Sequence, residues 1–278
     1  MKDKIVLITG STDGIGKQTA LELAQKGATI LIHGRDLKRG KMVVDEIIQH
    51  TTNSNINLFI SDFSSLKQVK KLAEKIKAKY DHLDVLINNA GVYMKKRIST
   101  EDGYEMTFQV NYLAHFFLTN ILLDLINQGA PARIINISSM AHSSSIDFND
   151  LQSEKSYSAY GAYALSKLAN ILFTFKLAAD LQNTRVTVNC LHPGVINTKL
   201  LREGFGSMGE DVKVGSKTPI FLASSPQVKE ITGKFYVNRF KGLIPEEQRA
   251  AGIAYDKEVQ EKLWEISIKL AGPKSPIQ

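Results

Sequence analysis

Ile5-Val6-Leu7-Ile8-Thr9-Gly10-Ser11-Thr12-Asp13-Gly14-Ile15-Gly16 joins an unbroken apolar run to a glycine-rich turn and the start of a helical pattern. Four apolar residues without alternation read as a strand buried on both faces, as in a parallel sheet. From Gly14 to Gln25, Ala20, Leu23 and Ala24 recur at helical spacing. A strand that feeds a glycine turn and then a helix begins a β-α-β unit. Glycines in that turn let the backbone approach a phosphate, and the helix N-terminus offers free N–H groups and the positive end of its dipole. The spacing is Gly-x-x-x-Gly-x-Gly, and the strand–turn–helix context makes Gly10, Ser11, Thr12, Asp13, Gly14, Ile15 and Gly16 a candidate pyrophosphate cradle.

The same rhythm continues outward. Strands are predicted at 28–33, 56–60, 85–88, 133–138, 186–191 and 233–237. Helices are predicted through Val43, Val44, Ile47 and Ile48, then over 64–79, 101–127, 157–181 and 257–270. Strand and helix alternating in this way predict a parallel sheet covered on both faces. No linker interrupts the alternation up to about residue 240. The reading is one Rossmann-type α/β domain over residues 1–278, a doubly wound parallel sheet with helices on both faces. The glycine-rich stretch Gly204 to Gly215 reads as a loop within a substrate lid, and the lid and C-terminal helix, about 199–278, belong to the same domain.

Bulk properties exclude several classes. The single cysteine, Cys190, rules out an internal disulfide and a cysteine-rich zinc site, and no metal site is expected. No run approaches the roughly 20 apolar residues of a membrane span, and no secretory leader is apparent, so a cytoplasmic protein is expected. The net charge of +7 is spread along the chain. Its densest patch, Lys67 to Lys79, falls on the outer face of an amphipathic helix and reads as a solvated surface. No nucleic-acid motif, metalloprotease His-Glu-x-x-His or hydrolase Gly-x-Ser-x-Gly appears.

The end of the second strand, Ile32-His33-Gly34-Arg35-Asp36, bears on the cofactor. An acidic residue there would bind ribose hydroxyls and favour NAD. Here Gly34 leaves room and Arg35 can pair with a 2′-phosphate, while Asp36 suits the N-cap of the next helix. NADP(H) is therefore expected over NAD(H). Tyr163 and Lys167 lie four apart, on one face of a predicted helix. A tyrosine ordinarily titrates near 10, and a neighbouring ammonium would lower that value and make the phenol a usable acid/base.

Taken together these segments resemble the short-chain dehydrogenase/reductase family. Thr9 to Gly16 matches its cofactor loop, and Asn88-Asn89-Ala90-Gly91 its signature after the fourth strand. Asn111, Ser139, Tyr163 and Lys167 fall in the order of its catalytic tetrad, and His192-Pro193-Gly194 with Thr198 matches its nicotinamide-side segment. The stretches 132–142, 163–177, 191–200 and Leu263-Trp264 look most like the retinol dehydrogenase-type branch.

The resemblance implies an NADP(H)-dependent carbonyl/alcohol oxidoreductase. Tyr163 would be the general acid/base, and Lys167 would lower its pKa and hold the nicotinamide ribose. Ser139, rather than its rival Ser138, would polarise the substrate oxygen, and Asn111 would hold a relay water. Asp62 and Phe63 would flank the adenine, with helix N-cap the competing role for Asp62. Asn89, Ala90, Gly91, Pro193, Gly194, Val195 and Thr198 would line the cofactor cleft. His192 would pack beside Pro193 rather than act as a base. The 24-residue spacing from Ser139 to Tyr163 is longer than in many members and implies a substrate-side loop that includes His142. Leu200, Leu201, Phe205 and Met208 in the lid suit a lipophilic aldehyde or ketone. Family habit suggests a homo-oligomer, paired through long helices such as 157–181. The alternative is a non-catalytic NADP(H)-sensing or scaffolding protein on the same fold.

Overall fold

A computed structural model describes residues 1–206, 209–238 and 245–272. Eight strands form one sheet: β1 (Ile5–Ile8), β2 (Thr29–Gly34), β3 (Ile56–Ile60), β4 (Val85–Asn88), β5 (Ala132–Ile137), β6 (Val186–His192), β7 (Phe235–Val237) and β8 (Glu246–Glu247). Their order is β3-β2-β1-β4-β5-β6-β7-β8, parallel throughout except for β8, which runs antiparallel to β7 at the edge. Each parallel crossover carries a helix, so both faces are covered and the strands can be apolar on both sides. This is the single Rossmann-like α/β domain expected from the alternation.

The helices divide between the two faces. On one, α1 (Gly14–Gln25), α2 (Leu37–Thr51) and α8 (Val212–Ser224) bury Ala20, Leu23, Val43, Ile47, Ile220 and Leu222 against Val6, Ile8, Ile30 and Ile87. On the other lie α3 (Leu66–Lys79), α5 (Ala114–Gln128), α6 (Ala159–Asp180) and α9 (Lys257–Ala271). Val69, Leu72, Phe116, Leu122, Leu168, Phe173 and Trp264 fill that layer. Trp264 of α9 stacks on Phe173 of α6 at 5.9 Å, which ties the C-terminal helix into the core. Polar side chains of the central strands link in a ladder across the sheet. Asn88 Nδ2 donates to Asn136 Oδ1 (2.8 Å) and Thr119 Oγ1 (3.0 Å), and Asn136 Nδ2 donates to Thr174 Oγ1 (2.8 Å).

The structure corrects several boundaries. The helix expected from residue 101 begins as α4 (Met106–Phe108), passes through a π turn (Gln109–Leu113) and only then becomes α5. Residues 101–105 form a turn instead, with Gly103 at φ +86 and Glu105 capping the N–H groups of Thr107 and Phe108. Ser65 and Ser158 cap α3 and α6, so each starts two residues later than the spacing suggests. The expected loop 204–215 is shortened at both ends by helices. Here α7 (Lys199–Phe205), capped by Thr198 and stopped by Gly206 at φ +61, is followed by α8, capped by Asp211. Met208 of the expected lid lies outside the described residues.

The strand order reverses between β1 and β4. In such sheets a crevice opens at the carboxyl ends of the strands at that switch point. The segments after β1, β2, β3, β4, β5 and β6 all converge on that edge.

Candidate active site

The floor of the crevice is built around Thr9. Its Oγ1 accepts the backbone N–H groups of Asn89 (2.8 Å) and Ala90 (2.9 Å), fixing the turn after β4 to the turn after β1. Asn89 returns the contact, donating from Nδ2 to the carbonyls of Thr9 (2.8 Å) and Gly10 (3.2 Å). No side chain fits between the two turns. A Cβ on Gly10, at φ +63, would stand 2.8 Å from Ala90 Cα, and one on Gly16 would stand 2.4 Å from Asn89 Nδ2. Ser11 turns inward, donating to Ile8 O and accepting from His33 N, so its hydroxyl belongs to the scaffold rather than to the cleft. Asp13 caps α1 through the Gly14 N–H, and the next N–H groups of that first turn have no intrahelical partner.

Two buried histidines brace this floor. The Gly10 N–H donates to His33 Nδ1 (3.1 Å), which leaves His33 Nε2 to donate to Ser61. His115 Nδ1 faces the Asn111 carbonyl (3.0 Å) and must carry the proton, so Nε2 accepts from Thr9 Oγ1 (2.9 Å). Burial pushes both rings down, His33 to about 4 and His115 to about 3, and both are neutral connectors. Phe63 stacks on His33 at 4.4 Å and meets His115 edge-on at 5.3 Å. The expectation that Phe63 flanks the adenine is therefore corrected for its ring, which is 3 % exposed and lies beneath the floor. Asp62 is not the cap of α3 either. It closes the preceding turn by accepting from Ser64 N and Oγ (both 2.9 Å), while Ser65 caps the helix.

At the end of β2, Asp36 caps α2 by accepting from Arg39 N at 2.8 Å. Arg35 is exposed and makes no ion pair or hydrogen bond among the described residues. Gly34 is pressed against Thr12, where a Cβ would fall 2.5 Å from Cγ2.

The tetrad positions converge from three elements. Tyr163 and Lys167 are on α6, Ser139 follows β5, and Asn111 sits in the π turn before α5. Ser138 is committed elsewhere, donating to Lys167 O at 2.7 Å, whereas the Ser139 hydroxyl accepts from Ala141 N (3.1 Å) and pulls the Tyr163 phenol pKa down. The Ser139 backbone is pinned by His142, whose Nδ1 donates to Ser139 O (2.7 Å) while Nε2 accepts from Ala251 N (3.0 Å). Asn111 is fully buried. Its carboxamide accepts from Val92 N (2.7 Å) and donates to Val92 O (3.0 Å) and Ser166 Oγ (3.1 Å). Only its backbone carbonyl, already shared with His115, is left to hold a water.

Lys167 Nζ donates to Ile137 O at 3.0 Å and stands 5.5 Å from the centre of the Tyr163 ring. Burial lowers this lysine to about 8. Burial also pushes Tyr163 up to about 12, against the pull of the Ser139 hydrogen bond, with Tyr160 and Tyr93 adding to the rise. The expected lowering of the phenol by Lys167 is thus not met in this state. With both groups desolvated, the cost of a buried phenolate outweighs the ammonium's attraction.

The rim is aromatic. Phe205 of α7 approaches Tyr163 at 5.8 Å, Tyr93 at 5.4 Å and Tyr160 at 6.3 Å, and Tyr93 meets Tyr163 at 5.6 Å. Leu200 lies over Gly91, and Thr198 comes within contact of Gly14, so the segment after β6 closes on the glycine turn. Pro193, Gly194 and Val195 line a cavity beside it.

A doubly wound sheet with a phosphate-sized turn, and a Tyr–Lys–Ser group at its switch point, defines a nucleotide-binding oxidoreductase. Comparison gives the family. Residues 4–206 match the short chain dehydrogenase model, and the chain belongs to that family. It is similar to human retinol dehydrogenase 13, at 40% identity over 98% of this chain and 86% of that protein. An uncharacterized protein from Mycobacterium paratuberculosis superposes with a TM-score of 0.84 at 30% identity, covering 99% of this chain and 96% of that one. A short chain dehydrogenase from Escherichia coli CFT073, solved as a complex with NADPH, gives a TM-score of 0.71 at 26% identity over 85% of this chain and 97% of that one. No helix among the described residues is long and apolar enough to cross a membrane.

The sequence did not single out His33, His115 or Tyr93. A histidine inside an otherwise apolar strand, as at Ile32-His33, and another inside the apolar stretch from Ala114 were the signals available.

Proposed function

We propose that the protein is an NADP(H)-dependent oxidoreductase that interconverts a carbonyl and an alcohol, with Tyr163 as general acid/base and a largely lipophilic aldehyde or ketone as substrate. The observation that carries the reading is the convergence on Tyr163 of Ser139, whose hydroxyl pulls the phenol pKa down, and of the Lys167 ammonium, 5.5 Å from the centre of the same ring.

The cleft fits the cofactor. Gly10, Gly14 and Gly16 keep the turn after β1 free of side chains, and the first turn of α1 presents unpaired N–H groups to a pyrophosphate. Arg35 is uncommitted where a 2′-phosphate would lie, and the neighbouring Asp36 is engaged as a helix cap. The E. coli relative solved with NADPH supports the same choice. Asp62 keeps Oδ2 without a hydrogen-bond partner among the described residues, which suits an adenine amino group.

Bound NADPH supplies the hydride. Ser139 donates to the substrate oxygen and stabilises the charge that develops there, while the Tyr163 phenol delivers its proton to the same oxygen. A phenol held near 12 stays protonated at neutral pH, the form needed for reduction. Lys167 holds positive charge under the ring. Phe205, Tyr93 and Leu200 exclude water and present apolar surface to the carbon skeleton.

The test is NADPH oxidation measured across aliphatic, aromatic and isoprenoid aldehydes and ketones, with NADH in parallel. Turnover with NADPH supports the reading. Tight NADPH binding with no turnover of any carbonyl contradicts it and favours a nucleotide-sensing role.

A further inference from the structure

Strand β5 ends at Ile137, and Ser138 makes the last ladder contact, its N–H donating to Leu191 O at 2.7 Å. Ser139 therefore stands where the chain leaves the sheet. Met140, the next residue, is 43 % exposed, so the turn runs out to the surface and side-chain hydrogen bonds give it its shape. Ser139 Oγ accepts from Ala141 N (3.1 Å), and Ser139 O accepts from His142 Nδ1 (2.7 Å). The serine's own proton stays free to be donated towards a substrate oxygen.

His142 reaches in the other direction as well. Its Nε2 accepts from Ala251 N at 3.0 Å, and its ring meets Phe235 of β7 edge-on at 5.6 Å. Both partners lie outside residues 4–206, the stretch that matches the family model. The far end of this contact is itself anchored. Ala250 N donates to the Tyr255 hydroxyl (3.0 Å), and the Tyr255 ring packs on Phe175 of α6 at 5.0 Å. The near end is tied to the same helix, where Ser143 N donates to Ala164 O (3.0 Å), one residue from Tyr163. The C-terminal segment and the turn after β5 are thus both referenced to α6, and His142 joins them.

We infer that His142 is a positioning residue for carbonyl reduction, tying Ser139 to the C-terminal segment so that the serine hydroxyl is aimed at the oxygen that Tyr163 protonates. The inference rests on the oxidoreductase reading and adds to it the residue that steers Ser139. His142 is not a proton carrier. The Ala251 N–H requires an acceptor, which fixes the ring proton on Nδ1, where it is given to Ser139 O. Neither nitrogen is left for the substrate, so the imidazole acts through the serine. A donor aimed at developing charge is effective only when held in place, and a displacement of about 1 Å can cost as much as about a hundredfold in rate.

The test is a double-mutant cycle between His142 and Ser139, read as kcat and KM of carbonyl reduction with NADPH, by single turnover where a variant is slow. His142→Phe keeps an aromatic ring against Phe235 and loses both hydrogen bonds. It is expected to lower kcat at least about tenfold, with KM and the NADPH dissociation constant within about threefold of wild type. In a Ser139→Ala background the same change should cost less than about twofold, because the group it positions is gone. His142→Asn, whose Nδ2 takes the place of the imidazole Nδ1, should restore kcat to within about threefold of wild type. An equal loss from His142→Phe in both backgrounds overturns the inference, as does a loss confined to KM or one that His142→Asn does not repair. Each of these leaves the oxidoreductase reading intact. Where His142→Phe does not fold, the asparagine variant is set against His142→Gln, whose longer amide meets Ala251 N but is displaced from Ser139 O. Equal kcat in those two overturns the inference. Absence of wild-type turnover with every carbonyl overturns it together with the oxidoreductase reading.

Discussion

Replacing Arg35 by leucine should separate the two nicotinamide cofactors, and the size of the effect follows from its surroundings. The guanidinium is exposed and unpaired among the described residues, so no internal contact is lost on removing it. A charge-assisted hydrogen bond contributes about 1.5–3 kcal/mol where it is well shielded, and a guanidinium fork makes two to a phosphate. Exposure and salt reduce that sum, leaving about 2 kcal/mol, or roughly a 30-fold change in an equilibrium constant. The expected outcome is a fall of about 30-fold in kcat/KM for NADPH at low salt, shrinking as ionic strength rises. NADH kinetics should move less than about twofold on the same argument, because NADH has no 2′-phosphate. Steady-state kinetics with both cofactors at two salt concentrations provide the measurement. Equal losses with NADPH and NADH would refute the reasoning, since they would mean that Arg35 supports the fold rather than the phosphate.

Other consequences follow from the floor and rim of the cleft. Thr9→Val removes the acceptor for two backbone N–H groups and should lower stability by about 2–4 kcal/mol; a urea midpoint unchanged from wild type would count against the bracing role. His33, His115 and His192 are pushed down to about 4, 3 and 4, so on acidification the unfolded chain takes up their protons first. Their stabilisation is complete above about pH 6.5 and is lost as pH falls towards 4, at up to about 1.4 kcal/mol per pH unit for each ring. Urea titrations between pH 7 and 5 should show that decline, and His115→Gln should make it shallower by about one proton; a flat wild-type profile would contradict the assignment. Phe205→Ala removes the aromatic contact with Tyr163 and Tyr93 and should raise substrate KM about fivefold, near 1 kcal/mol, with NADPH affinity unchanged. A variant with wild-type KM would mean that α7 does not cover the bound substrate.

The strands and most helices were legible because their signals are local. Ile5–Ile8 and Val85–Asn88 read as doubly buried strands, and Leu66–Lys79 shows its apolar stripe plainly. The helices α7 and α8 were not legible. The first is seven residues long between a capping threonine and a stop glycine, and the second carries Gly215 and Pro219, residues that discourage a helical reading. Strand β8 is two exposed glutamates, with no apolar signal to find. The π turn is set by tertiary bonds from Asn111 to Val92 and Ser166, which no local pattern announces.

At the site, motif spacing pointed to Tyr163, Lys167 and the glycine turn, but geometry was needed for the rest. Ser138 and Ser139 are adjacent and identical in type, and only the bond from Ser138 to Lys167 O separates their roles. Phe63 looked like a cleft residue until its stacking on His33 placed the ring beneath the floor. The bracing by His33 and His115 depends on elements far apart in sequence, so it becomes visible only once the strands are in register.

The most direct test of the central claim is the Tyr163→Phe variant, which removes only the phenolic hydroxyl. Single-turnover reduction of the best carbonyl substrate should slow by at least about 100-fold, the usual scale of a lost general acid, with NADPH bound as tightly as by wild type. Near-normal turnover in that variant would contradict the assignment of Tyr163 as the proton donor, and with it the account of the site.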